Sequence, residues 1–284
     1  MSTTWVTKEH SLRNYFILAF LFPIVGTLLV TLIDGLQTGL VTTNQVSPLA
    51  LVVIFSMVHA PTVAAMIVAY RDEGFLGIRK LFRQLKHWKY DLNWYLKALL
   101  IFPLSILGAL LVLSLFSPSF TPVFSFSIFT GAVFLSSLWE EIGWTGYALP
   151  RMLQRSSALK TGILLGVVHT FWHLAADYWG SIAFYGEFYL YALHFSLWLV
   201  GLVVLRVLIV WIYLRTASLV LGWLIHFSYT GGQLLMTVTL SAVNTLIWNT
   251  VFVLILLCVM AFLAVRNRDF RAAWQSGTHA ASGA

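Results

Sequence analysis

The chain has 284 residues, of which 60% are hydrophobic and only 10% charged, against roughly 45–50% and about 25% in ordinary soluble domains. That balance excludes a water-soluble enzyme, a disordered chain and a secreted disulfide scaffold, and the 12 Trp, 21 Phe and 11 Tyr suit the headgroup region of a bilayer. The net charge of +7 reports membrane topology rather than nucleic-acid binding, so no nucleic-acid partner is expected.

A hydrocarbon core of roughly 30 Å takes about 20 apolar residues of helix. Between charges and turn formers the chain offers eight such stretches: 14–34, 47–70, 94–116, 124–147, 161–180, 188–213, 217–239 and 244–265. The first lacks a small-residue cleavage site and reads as a span, not a signal peptide. Between the second and third, Gly77 to Trp88 places apolar residues at 78, 81, 82, 85 and 88 with basic residues between them. That spacing predicts an interfacial helix on an anionic leaflet. The uncharged run from Ala98 to Trp139 is too long for one span, and Ser117-Pro118-Ser119 and Thr121-Pro122 split it. Asp177 interrupts the fifth stretch. Gly231-Gly232, Ser241 and Asn244 break the last long apolar run. Cys258, alone in the chain, forms no internal disulfide and reads as a small buried hydrophobe. The tail after Arg271 is small and polar and reads as disordered.

All 17 Lys and Arg fall towards one side of an eight-span chain. Lys8 and Arg13 precede the first span, and Arg71 to Lys97 lie between the second and third. Arg151, Arg155 and Lys160 follow the fourth, Arg206 and Arg215 lie towards the end of the sixth, and Arg266, Arg268 and Arg271 follow the eighth. The alternate loops, near 35–46, 117–123, 181–187 and 240–243, hold no basic residue. The positive-inside rule makes the basic side cytoplasmic, with both termini inside. The expected fold is therefore an all-α polytopic bundle of about eight transmembrane helices in the cytoplasmic membrane. Arg206 fits this scheme least well, since it must snorkel about two turns to reach the interface.

An ionisable residue at bilayer depth is expensive and marks a functional site by default. Glu140 and Glu141 lie in the fourth span, His169 and His173 in the fifth, His194 in the sixth, His226 in the seventh, and His59 in the second, just before Pro61. Glu140 lies eleven residues before Arg151, His173 thirteen after Lys160, and His226 eleven after Arg215. At about 1.5 Å per residue all three sit roughly 16–20 Å from the basic face, on one level of the membrane. His194 and His59 lie in the outer parts of their spans and read as hydrogen-bonded packing residues.

A carboxylate beside an imidazole can take a proton from an attacking water and return it to a leaving amine. A second histidine can donate to a developing oxyanion. Peptide hydrolysis within the membrane fits these parts. So do proton-coupled transport and haem ligation. A divalent metal such as zinc is compatible with the same residue types, with Glu140, His173 and His226 as candidate ligands. His169 and His173, at i and i+4, face one way. Two adjacent glutamates point about 100° apart, so one of them needs a partner of its own.

The segment Glu140-Glu141-Ile142-Gly143-Trp144-Thr145-Gly146-Tyr147-Ala148-Leu149-Pro150-Arg151 resembles the first motif of the CPBP family. These are the type II CAAX prenyl endopeptidases and the bacteriocin-processing or self-immunity proteins. The family's first motif is two glutamates, three residues and an arginine. His169-Thr170-Phe171-Trp172-His173 is similar to the second motif, an aromatic residue four positions before a histidine. His226-Phe227-Ser228-Tyr229-Thr230 is similar to the third, a histidine four positions before asparagine or aspartate. The short chain looks like the bacterial branch. Thr145 stands where the family has arginine, His169 where it has an aromatic residue, and Thr230 where it has asparagine or aspartate.

The resemblance implies an intramembrane endopeptidase acting on membrane-embedded or lipidated peptides. Glu140 would activate water with His173, and His226 with Thr230 would hold the oxyanion. Losing the arginine at 145 would strip Glu141 of a fixed positive partner, and His169 would supply a compensating donor or charge. It also divides the chain into N-terminal helices and the start of the amphipathic segment (1–79), a motif-bearing core (80–235), a last span (236–270) and the tail (271–284). The alternatives are a catalytically inactive relative that binds membrane peptides as a scaffold or immunity protein, and a proton-coupled transporter.

Overall fold

The computed structural model of the chain describes residues 10–34, 48–126, 128–237 and 240–275. Lys8, the 35–46 loop and the tail from 276 onward lie outside the described residues. Helices occupy all eight predicted stretches. Helix α1 is Ser11–Asp34 and α2 is Pro48–Glu73; the short α3, Phe75–Arg83, leads to α4, Leu92–Ser114. Helix α5, Ile128–Gly143, continues through a π-helical turn at Trp144–Ala148 into α6, Leu149–Leu153. Then come α7 (Ala158–Tyr185), α8 (Phe188–Thr216), α9 (Leu219–Leu235), α10 (Ala242–Arg266) and α11 (Arg268–Gln275). Strands β1 (Val123–Phe124) and β2 (Met236–Thr237) form a two-residue antiparallel ladder between the approach to α5 and the end of α9.

Four of the described helices carry segments long and apolar enough to cross a membrane: Ser11–Leu29, Leu92–Ser114, Phe188–Thr216 and Ala242–Arg266. Helices α5 and α9, of 16 and 17 residues, are shorter than these, and with α7 they carry the polar residues of the three motifs. The chain is a polytopic helical membrane bundle. Helix α8 is its central post. Of its spanning segment 61% is buried inside the protein, against 28% for α1 and α10, and Leu205, Leu208, Ile209 and Val210 are fully enclosed. Polar bonds tie the neighbours together: Thr62 donates to the Trp139 carbonyl, Trp223 Nε1 to Phe134 O at 2.8 Å, and Ser228 Oγ to Ala98 O at 2.7 Å. Such bonds are worth more than area alone, because lipid offers no hydrophobic drive between helices.

The 77–88 segment packs on protein at Leu81 and Gln84, which are buried, and a Cβ on Gly77 would sit 2.2 Å from Ala69 O of α2, while Trp88 stays exposed. Two local expectations change. Asp177 does not end the fifth helix, because Ser181 Oγ (3.2 Å) and Tyr191 OH (3.0 Å) donate to its carboxylate inside the bundle. Cys258 is exposed on the outer face of α10 rather than buried.

The most extensive helix packing brings α7 against α8. Gly162 and Gly166 on α7 face Val207 and Val203 on α8; a Cβ on Gly166 would lie 2.6 Å from Val203 Cα. Small residues four apart let two backbones approach, as membrane bundles require. Gly166→Ala should therefore lower the unfolding midpoint in detergent, costing on the order of 1–3 kcal/mol through overpacking. Gly108→Ala, whose Cβ would meet only Ile255 Cδ1 at 4.0 Å, should be neutral or stabilising. Equal effects of the two substitutions would contradict this packing.

Candidate active site

Glu140 and Glu141 end α5, one turn before the helix widens. Pro150 has no N–H to give the carbonyl four residues earlier, that of Gly146. Gln84 Nε2 donates to that oxygen instead, at 3.0 Å, and the turn between is π-helical, a distortion common at functional sites. The two glutamates diverge as their 100° separation requires. Glu141 turns into the protein and is fully buried, while Glu140 lines a cavity.

Glu141 is saturated with donors. Arg206 Nη2 approaches Oε1 at 2.8 Å and Nη1 donates to Oε2 at 2.9 Å, a bidentate fork. His226 Nδ1 lies 2.8 Å from Oε1, and Thr145 Oγ1 donates to Oε2. A carboxylate offers about four lone-pair sites, and all are used. Arg206 does not snorkel: it is fully buried in the middle of α8. The positive partner that Thr145 cannot supply thus comes from another helix, and Thr145 keeps one hydrogen bond of its own.

The third guanidinium group of Arg206, Nε, points at His169, lying 3.2 Å from Nδ1. His169 Nε2 in turn lies 3.2 Å from Glu140 Oε2. His169 is fully buried and its ring stacks on Trp172 at 5.8 Å. The compensating charge for Glu141 therefore comes from Arg206, and the donor to Glu140 from His169. His173 packs between Trp172 and Trp198, with ring centroids at 4.6 and 4.9 Å.

Glu140, His173, His226 and Thr230 all line one cavity of about 740 Å³. Asp177 and His194 line the same cavity, so His194 belongs to its wall rather than to packing outside it. Neither ring nitrogen of His194 has a hydrogen-bond partner, and its Nε2 stands 3.6 Å from Asp177 Oδ1. His59 lies away from this group, its ring 5.4 Å from that of Trp139.

Ligand atoms of Glu140, His169 and His173 lie within 4.8 Å of one another. Arg206 Nε already donates to His169 Nδ1, and His169 Nε2 faces Glu140. His226, a candidate ligand from the sequence, is not part of that group and commits Nδ1 to Glu141.

Of the predicted residues, the structure brings Glu140, Glu141, Thr145, His169, His173, His226 and Thr230 together, through hydrogen bonds or along one cavity. The residue that sequence reasoning missed is Arg206. Its signal was present: an arginine two turns inside a span, in a chain whose buried carboxylate lacked a partner.

Comparison with known proteins points the same way. Residues 122–232 match the family model described as type II CAAX prenyl endopeptidase, Rce1-like. The chain is 29% identical over 128 residues to a protein named CAAX prenyl protease 2 from Methanococcus maripaludis, a match covering 44% of each chain. The aligned segment thus spans less than half the length of that relative.

Thr145 is fully enclosed, and its Cγ2 would lie 3.0 Å from a Cβ on Gly222 of α9. Thr145→Arg should therefore overpack the site and set a second guanidinium against Arg206. We expect a loss on the order of 1–3 kcal/mol, read as a lower unfolding midpoint, with no gain of activity. Higher activity at unchanged stability would show that Arg206 does not fill the arginine's place.

Proposed function

We propose, on the premise that residues 122–232 form an Rce1-like core, that this chain is an intramembrane endopeptidase for membrane-embedded or lipidated peptides. One observation carries the reading: Glu140, His173, His226 and Thr230, from three helices, open on a single cavity large enough for an extended peptide segment.

Charge balance assigns the roles. Two carboxylates face one guanidinium, which leaves one negative charge in a low-dielectric interior. One proton, shared between Glu140 and His226, neutralises it. With the proton on His226, Nδ1–H donates to Glu141 and Nε2–H is free to donate, while Glu140 is an ionised base. Glu140 then takes a proton from a water whose oxygen adds to the scissile carbonyl carbon. His226 Nε2–H and the Thr230 hydroxyl stabilise the oxyanion. Collapse of the tetrahedral intermediate breaks the carbon–nitrogen bond as Glu140 returns its proton to the leaving amine. His173, whose ring nitrogen lies within 4.8 Å of the Glu140 carboxylate, lines the same cavity and helps Glu140 hold the water. Thr230 keeps a hydroxyl donor on the turn after His226, and Arg206 keeps Glu141 charged and fixed, so the departures at Thr145 and Thr230 leave the machinery complete.

The test is cleavage of prenylated and membrane-spanning peptides by purified protein in bilayers. Glu140→Gln, which keeps the shape but not the base, should lower turnover by at least about 100-fold. Undiminished turnover in that variant, or no cleavage of either substrate class by the native chain, would overturn the proposal.

A further inference from the structure

We infer that Arg206 and His169 form a positioning relay, in which Arg206 locks the histidine in its Nε2–H tautomer so that it donates to Glu140 and orients that carboxylate in the cavity. The inference rests on the endopeptidase reading only for its kinetic consequence. Its structural content stands on the geometry alone.

Arg206 has no freedom. Its two terminal nitrogens are held by Glu141 at 2.8 and 2.9 Å, so the plane of the guanidinium is set. Nε donates to His169 Nδ1 at 3.2 Å, and Nη2 lies 3.2 Å from the same nitrogen and 3.5 Å from Nε2. Guanidinium nitrogens only donate. Nδ1 must therefore accept, and a neutral imidazole that accepts at one nitrogen bears its proton on the other. A second proton on His169 would set Nδ1–H against a donor and an imidazolium against a buried guanidinium. The ring stays neutral.

Nε2–H is then directed at Glu140 Oε2, 3.2 Å away. The ring cannot turn to offer anything else: Trp144 and Trp172 hold it at centroid distances of 5.4 and 5.8 Å, and His173 and His226 flank it at 5.0 and 5.5 Å. The consequence for Glu140 is that one oxygen is occupied and the carboxylate plane is pinned. Glu140 lines the cavity while His169 and Arg206 do not, so the relay acts from behind. It connects α5, α7 and α8 through four side chains, ordered Glu141, Arg206, His169, Glu140.

The experiment reads the tautomer directly. The full chain, labelled with nitrogen-15 in histidine and reconstituted in bilayers, gives distinct signals for a protonated and an unprotonated ring nitrogen. His169→Gln identifies the His169 pair. In the native chain we expect Nε2 protonated and Nδ1 unprotonated, with no titration between pH 5 and pH 8. Arg206→Lys keeps a charge beside Glu141 but lacks the third donor, so His169 should shift to mixed tautomers. Turnover should fall about tenfold or more, with KM little changed. If that variant does not fold, Glu141→Gln/Arg206→Met removes both charges together and should produce the same tautomer shift. A native His169 protonated on Nδ1, or one whose tautomer survives loss of Arg206, overturns the inference. If the tautomer responds as expected but neither the native chain nor any variant cleaves peptide, the relay stands and the endopeptidase reading fails.

Discussion

A carboxylate and a guanidinium closed off from water constrain everything else in this bundle. Removing two charges from solvent costs several kcal/mol each, and only good geometry with full hydrogen bonding recovers it. Glu141 and Arg206 meet that condition, with a bidentate fork, a histidine and a threonine filling the carboxylate's acceptor sites. Each partner lies on a different helix: Glu141 on α5, Arg206 on α8, His226 on α9. Three helices are thereby fixed in rotation as well as in distance. A slip of one residue on any of them would turn its polar group by about 100° into hydrocarbon.

The packing that permits this is close. Gly162 and Gly166 bring α7 onto α8 beside Val207 and Val203, and His169 follows Gly166, as Arg206 follows Val203, by three residues. Gly143, next to the glutamates, abuts the Pro61 backbone of α2, where a Cβ would lie 2.4 Å away. The small residues around the motifs are thus part of the same construction as the polar ones. They bring backbones near enough for short side chains to reach. The π-helical turn after Gly143 belongs to it too, since Thr145 in that turn donates to Glu141.

Much of this was legible in the sequence because the membrane enforces simple rules. Apolar length marked the eight stretches, and counting from basic residues put Glu140, His173 and His226 at one depth. The three motifs pointed to the Rce1-like family that residues 122–232 match. Partnerships were not legible. Positive-inside reasoning assigns an arginine to the nearest interface, and it sent Arg206 outward when a buried carboxylate was holding it. Helical periodicity shows which residues share a face of one helix but not which faces meet. His194 was therefore placed apart from a cavity it lines, and the bond from Gln84 to the carbonyl freed by Pro150 could not be foreseen. In each case the deciding interaction joins residues far apart in the chain.

The central claim is that Glu141 and Arg206 act as one unit. A double-mutant cycle on unfolding free energy, built from Glu141→Gln, Arg206→Met and the pair, measures that directly. Each single change strands a polar or charged group in the interior, whereas the double change removes both charges. The account predicts a coupling above about 2 kcal/mol, with the double variant more stable than Arg206→Met alone. Additivity within about 0.5 kcal/mol would contradict it.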